Sequence, residues 1–244
     1  MISPAKAHFL RKTAEKEAAE AAASGNQLAG STGYELMLAK VDADMRRLKE
    51  IQSIERKIEV KREVLPDYEA YIDGAIAGDT GVQDDVLMTA MVWLVDTGNY
   101  DRALQIAEYA LRHKLAMPGQ YRRTLGALIA EEVSDAAKRK LSAKESAADL
   151  IDPLLRTDEI TKDEDMPDES RARLYKAIGL VYASELGDPA GIRAVEAPEY
   201  LSVAETALDY LRRALSKDEK CGVKKDIERT ERFIKNLAKP KTAG

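Results

Sequence analysis

Five side chains, Tyr34, Leu38, Val41, Met45 and Leu48, step by four, three, four and three residues along the chain. That alternation is the apolar seam of a coiled coil, and it narrows the folding choices more than any other feature. Thr32 and Glu35 precede it with the spacing of a capping box. Ile51, Ile54 and Ile58 continue the seam after a three-residue shift of phase, and Pro66 closes it. One helix is therefore predicted over 32–66, about 33 residues and roughly 50 Å long at 1.5 Å per residue. A rod of that length outreaches a small domain, so it is expected to pack on copies of itself. Leu38, Val41, Met45, Leu48, Ile51 and Ile58 are the candidate oligomerisation residues.

Composition extends the helical reading to the whole chain. Of 244 residues, 45% are apolar and 33% charged but only 5% aromatic, with alanine, leucine, glutamate, lysine and arginine abundant, which favours helix. Cys221 is the only cysteine, so no internal disulfide can form and a reducing compartment is expected. The longest apolar run, Val86–Val95, is interrupted by Thr89 and falls short of the roughly 20 residues that span a bilayer. No membrane partner is expected, and the N-terminal residues lack the apolar core of a secretory signal.

Charge is segregated. Residues 66–100 hold seven acids and no lysine or arginine, and residues 131–170 hold thirteen acids against six bases. Residues 101–130 and 216–244 are basic, with five bases against two acids and nine against five. An acidic chain does not bind nucleic acid indiscriminately, but basic patches permit contact through one face.

The expected fold is all-α: a long N-terminal coiled-coil-forming helix followed by a bundle of antiparallel, tetratricopeptide-like helical hairpins. Residues 1–31 read as a flexible basic arm, with a short helix after Ser3-Pro4 carrying Lys6, Arg11, Lys12 and Lys16. Over 67–149, Gly98 marks a tight turn, and Tyr100, Ala103, Ala107, Ala110 and Leu111 follow on one face. An acidic linker is expected at 150–170. A second hairpin and a capping helix occupy 171–238, with Ile178, Gly179 and Tyr182 facing Ala207, Leu211, Ala214 and Leu215. The last residues, 239–244, read as a disordered tail.

Signatures of catalysis are sparse. The chain has no GxxxxGK[ST] loop and only two histidines, His8 and His113, which argues against nucleotide hydrolysis and a histidine-rich metal site. Asp84-Asp85 is the most concentrated acidic pair, a weak candidate for holding Mg²⁺ in nuclease chemistry. Neighbouring helical residues point about 100° apart, and carboxylates also favour a helix start; both readings stand. Without that chemistry no cofactor is expected. Arg112, Lys114, Arg122 and Arg123 surround a turn, and Lys224 and Lys225 open the last helix. With Lys6, Arg11, Lys12 and Lys16 they are the candidate DNA-binding residues, although cations also complement a helix C-terminus.

Several blocks together resemble a known family. QDDVLMTAMVWLVDTGNYDRALQIAEYAL, MPGQYRRT, DMPDESRARLYKAIGL and CGVKKDIERTERFIK occur in this order, and they are similar to the small terminase subunit of temperate contractile-tailed bacteriophages, also called the terminase endonuclease subunit. The likeness runs from about Ser3 to Lys235. It implies a protein that recognises viral double-stranded DNA and delivers it to the large terminase subunit, which holds the ATPase motor and a nuclease domain. It also implies assembly into a homo-oligomeric ring and action in the host cytoplasm during virion assembly, not in the mature virion. An intrinsic Mg²⁺-dependent endonuclease is the alternative reading. A helical-repeat adaptor without a DNA role, holding partners on the acidic faces at 66–100 and 131–170, is the third.

Overall fold

Among the described residues every regular element is helical. A computed structural model describes residues 2–25, 28, 30–192 and 196–237, which leaves the expected tail at 239–244 outside the described residues. In chain order the helices are α1 (Pro4–Ser24), α2 (Thr32–Lys49), α3 (Ile54–Val64), α4 (Glu69–Gly78), α5 (Asp85–Thr97), α6 (Tyr100–Arg112), α7 (Leu125–Ser142), α8 (Ile151–Thr161), α9 (Asp168–Ser184), α10 (Ala197–Lys217) and α11 (Lys224–Leu237). Among the described residues none is long and apolar enough to cross a membrane. The chain divides into two units, Met1–Leu125 and Gly126–Gly244.

In the first unit, the long helix expected over 32–66 breaks where the seam changes phase. Residues 50–53 interrupt it, and Ser53 caps α3 by accepting the Arg56 N–H at 3.2 Å. The halves then fold back on each other. Arg47 donates both guanidinium ends to Glu63 at 3.2 and 2.8 Å, and Lys40 reaches Asp67 at 3.4 Å. Val41 and Leu48, two of the seam residues, are buried, and α2 packs on α1, α3 and α5. Part of the apolar stripe is therefore covered within one chain, and the break replaces the roughly 50 Å rod with two shorter helices. Leu38, Met45, Ile51 and Ile58 are only partly covered.

The centre of this unit is α5, whose residues Val86–Val95 are all buried. Trp93 packs edge-on against Tyr68, ring centroids 5.8 Å apart. Gly98 turns the chain with φ 80°, a left-handed conformation that favours glycine. Asn99 caps α6, whose Ala103, Ala107 and Ala110 are fully buried in the stripe expected from sequence.

The N-terminal segment is not a loose arm. Its helix runs to Ser24 and ends at Gly25, and Leu10, Ala14, Ala18 and Ala21 lie buried along it. Their partner is α4, which presents Ala70, Gly74 and Gly78 four residues apart. A Cβ at Gly74 would overlap the Arg11 carbonyl oxygen and come within 2.9 Å of Ala14 Cβ. Only glycine permits that approach.

In the second unit, α9 and α10 pack closely, with Leu211 filling the space above Gly179. Ile178, Ala207, Leu211 and Ala214 are buried as the sequence implies. The linker expected at 150–170 contains a helix instead. Pro153 sits in the first turn of α8, where a missing N–H costs nothing, and Leu154 is fully buried. The buried Arg171 holds the end of α8, donating to the Thr161 and Glu164 carbonyls at 2.7 and 3.0 Å and to Thr161 Oγ1 at 3.2 Å. Helix α11 closes this unit through Phe233 and Ile234, which join Leu186, Ile192 and Ala204 in one cluster.

Candidate nucleic-acid interface

The basic residues of α1 owe their positions to two anchors. One is the small-residue contact with α4. The other is Glu17, whose carboxylate accepts the backbone N–H groups of Gly33 and Tyr34 at 2.8 and 3.0 Å. These are orphan donors at the start of α2, so a side chain sixteen residues upstream does the work expected of Thr32. Glu35 meanwhile accepts from Gly30 N–H at 3.0 Å; the capping box predicted from Thr32 and Glu35 is not formed, because the helix starts one residue earlier, with Ser31 as N-cap and the Glu35 N–H donating to the Ser31 carbonyl at 3.0 Å. A sequence window of a few residues could not have revealed the Glu17 contact.

With its inner face fixed, α1 turns Lys6, Lys12 and Lys16 outward, all three exposed. Phe9 stands among them with 62% of its surface exposed. Arg11 is also exposed but lies on the α4 side, where it lines a shallow pocket with Pro66, Glu69 and Asp73. Lys12 pairs with Glu15 at 2.6 Å and Lys16 with Glu20 at 3.6 Å. Exposed pairs within one helix contribute little, so both lysines can turn to a phosphate at small cost. Ser3 opens the helix, accepting the Lys6 N–H at 3.3 Å.

Arg112 and Lys114 lie at the far end of α4. Asp79, which ends α4 in a left-handed conformation, accepts from Arg112 at 3.0 Å and bonds His113 Nε2 at 2.8 Å. The His113 bond and the Arg112 charge hold the Asp79 carboxyl below its ordinary range. A Cβ on Gly78 beside it would lie 3.6 Å from the Glu15 carbonyl oxygen of α1. Structure thus brings the Arg112 cluster next to α1, though Asp79 offsets part of its charge. Arg122 and Arg123 are exposed in the loop before α7. Lys224 and Lys225 belong to the second unit, exposed in the first turn of α11.

Asp84 and Asp85 part company at the start of α5. Asp84 is the N-cap, accepting the Leu87 N–H at 2.9 Å and the Tyr71 hydroxyl at 2.7 Å. It is buried, and burial raises its pKa to about 6 against the pull of those hydrogen bonds. Asp85 instead accepts from Gln83 Nε2 at 2.9 Å. Among the described residues no group of three or more His, Cys, Asp or Glu is placed to hold a metal ion. The pair is thus built into the fold as a helix cap and its neighbour.

Phe9 is the residue that sequence reasoning passed over. Its signal was present: Leu10, Ala14, Ala18 and Ala21 define one helical face, and Phe9 is out of phase with all of them.

The family described as the phage small terminase subunit matches this chain over residues 38–169. The chain is 43% identical over 240 residues to a protein of Escherichia phage P2 named "Terminase, endonuclease subunit", covering 98% of this chain and 89% of that one. It is 24% identical over 221 residues to a "Probable terminase, endonuclease subunit" of Haemophilus phage HP1, covering 86% and 77%. No solved structure matches it. More than half of the sequence falls within the family match, and the likeness to the phage P2 protein spans nearly all of it: the chain belongs to the phage small terminase subunit family.

Proposed function

We propose that this chain recognises viral double-stranded DNA and delivers it to the large terminase subunit for genome packaging inside the infected host cell. The carrying observation is the exposed lysine face of α1, mounted on α4 and pinned by Glu17. Cations on a rigid helix can meet phosphates without first ordering a flexible segment. Arg112, Lys114, Arg122 and Arg123 lie in the same unit and add contacts, and Lys224 and Lys225 give the second unit a patch of its own. The acidic stretches at 66–100 and 131–170 suit docking of a protein partner, the large subunit. Assembly is a homo-oligomeric ring, for which the exposed Leu36 (58%) and Ile54 (74%) are the apolar groups left open on α2 and α3.

The names of the two relatives favour a second reading, an endonuclease in this chain that cuts the packaging site with Mg²⁺. Because Asp84 serves as a buried cap, we assign the cutting to the complex with the large subunit. Purified chain is mixed with viral packaging-site DNA over a salt series, and the mass of the assembly is measured with and without DNA. The proposal expects an oligomer whose DNA affinity falls steeply with salt, and no nicking by the chain alone in Mg²⁺. A monomer that retains no DNA overturns it; nicking that disappears in Asp84→Asn supports the endonuclease reading instead.

A further inference from the structure

Phe9 is 62% exposed on a helix whose opposite face is packed. Helix α1 buries Leu10, Ala14, Ala18 and Ala21, and at 100° per residue Phe9 lies well away from that arc. Lys6 and Lys12 are three residues before and after it, so they stand about 60° to either side and about 4.5 Å along the axis. Lys16 lies two turns on, almost directly in line. Between the lysines the positions around Phe9 are small, Ala5 and Thr13, with Ala19 and Ala23 further along; Ile2 and Glu20 lie in line with Phe9 at the two ends, Glu20 paired with Lys16. From Lys6 to Lys16 the helix face is cationic at its flanks, apolar at its centre and otherwise low enough to approach a surface closely.

We infer that Phe9 is a sequence-reading residue that packs on the C5-methyl group of thymine in the DNA major groove. The inference rests on the reading that the α1 lysines bind DNA. An α-helix is the element that the major groove admits, and the phosphates bordering that groove match flanking cations. A phenyl ring has no donor or acceptor, so it cannot read hydrogen-bonding edges. The one apolar group that a base pair presents in the major groove is the thymine methyl. Lys6 and Lys12 then contact opposite rims while Phe9 points at the base edges, and Lys16 adds a phosphate contact further along.

The experiment uses the full chain and a random 30-base-pair duplex library, from which wild type and Phe9→Ala are each selected. The best wild-type duplex is then remade with uracil in place of each thymine in turn. One uracil is expected to weaken wild type about fourfold, the worth of a single buried methyl, and to leave Phe9→Ala unchanged. Phe9→Ala should keep the wild-type salt dependence and, because residue 9 is exposed, the wild-type circular dichroism. If Phe9→Ala still distinguishes thymine from uracil as well as wild type does, or if no thymine is distinguished by either, the assignment is overturned. A lysine variant separates the two levels of argument. If Lys6→Ala, Lys12→Ala and Lys16→Ala together leave DNA binding and its salt dependence intact, the DNA reading of α1 itself fails. If Phe9→Ala changes the mass of the assembly but not its DNA selection, Phe9 serves contacts between copies and the inference is overturned.

Discussion

Gly74→Ala should loosen the N-terminal helix from the first unit, and its size can be worked from the packing. The added Cβ overlaps the Arg11 carbonyl oxygen, a backbone atom that cannot rotate away. Carbon and carbonyl oxygen normally sit about 3.3 Å apart at helix contacts, so relief requires α1 to move by about 1 Å along much of its length. Overpacking of this kind costs about 1–3 kcal/mol, while alanine returns up to about 1 kcal/mol in helix propensity. The net loss is about 1–2 kcal/mol. Release of α1 sets an upper bound near 4 kcal/mol, from uncovering Leu10 and three alanines. The unit holding α1 runs to Leu125, and for that length Tm should fall by about 4–8 °C. Gly78→Ala is the control, since its Cβ meets only ordinary contacts of 3.6–3.7 Å; it should stay within about 0.5 kcal/mol of wild type. Urea titration followed by circular dichroism measures both, and limited proteolysis reports whether residues 4–24 are released. Equal stability of the two variants would refute the close α1–α4 packing.

Two further perturbations probe the buried polar groups. The folded chain holds the Asp84 proton up to about pH 6, whereas the ordinary value is 3.8. Stability from this group is therefore present below the ordinary value and is lost as pH rises through about 6. Asp84→Asn keeps the Oδ1 acceptor for Leu87 and sets an amide donor against the Tyr71 hydroxyl oxygen, and it cannot titrate, so its stability relative to wild type should improve by on the order of 2–3 kcal/mol from pH 3.8 to 7, measured by urea titration at each pH; a constant difference would contradict the assignment. Arg171→Met leaves the Thr161 and Glu164 carbonyls without their buried donor and should cost about 3 kcal/mol. Faster proteolysis at 162–167 should accompany that loss, and Arg171→Lys should recover part of it.

Much of the helical content was legible because its causes are local. The α5–α6 turn is written in Gly98 and Asn99, and the alanine stripe of α6 needs no distant partner to be recognised. The failures share a different cause. Seam residues Val41 and Leu48 repeat as a coiled coil does, but periodicity does not say which surface the stripe meets, and here both residues are covered within the chain. Alanines at 14, 18 and 21 bury little area each, so the N-terminal segment reads as loose until Ala70, Gly74 and Gly78 are set against them. Acidic charge over 150–170 suggested a linker, whereas Pro153 occupies a first turn and Arg171, outside that stretch, fastens the helix end. The candidate DNA-binding residues were legible as charges only. Phe9, which distinguishes one lysine face from the other basic patches, emerged once the buried side of α1 was known.

The central claim is that DNA meets the outer face of α1, and salt dependence tests it most directly. Binding of a fixed viral duplex is measured from low to moderate salt for wild type, for Lys6→Ala/Lys12→Ala/Lys16→Ala, and for Lys224→Ala/Lys225→Ala. Each phosphate contact contributes about 0.9 to the slope of log K against log salt. The triple α1 variant should therefore lose roughly 2.7 from that slope while circular dichroism is unchanged, and the α11 variant should lose less. A wild-type slope in the triple variant would contradict the account.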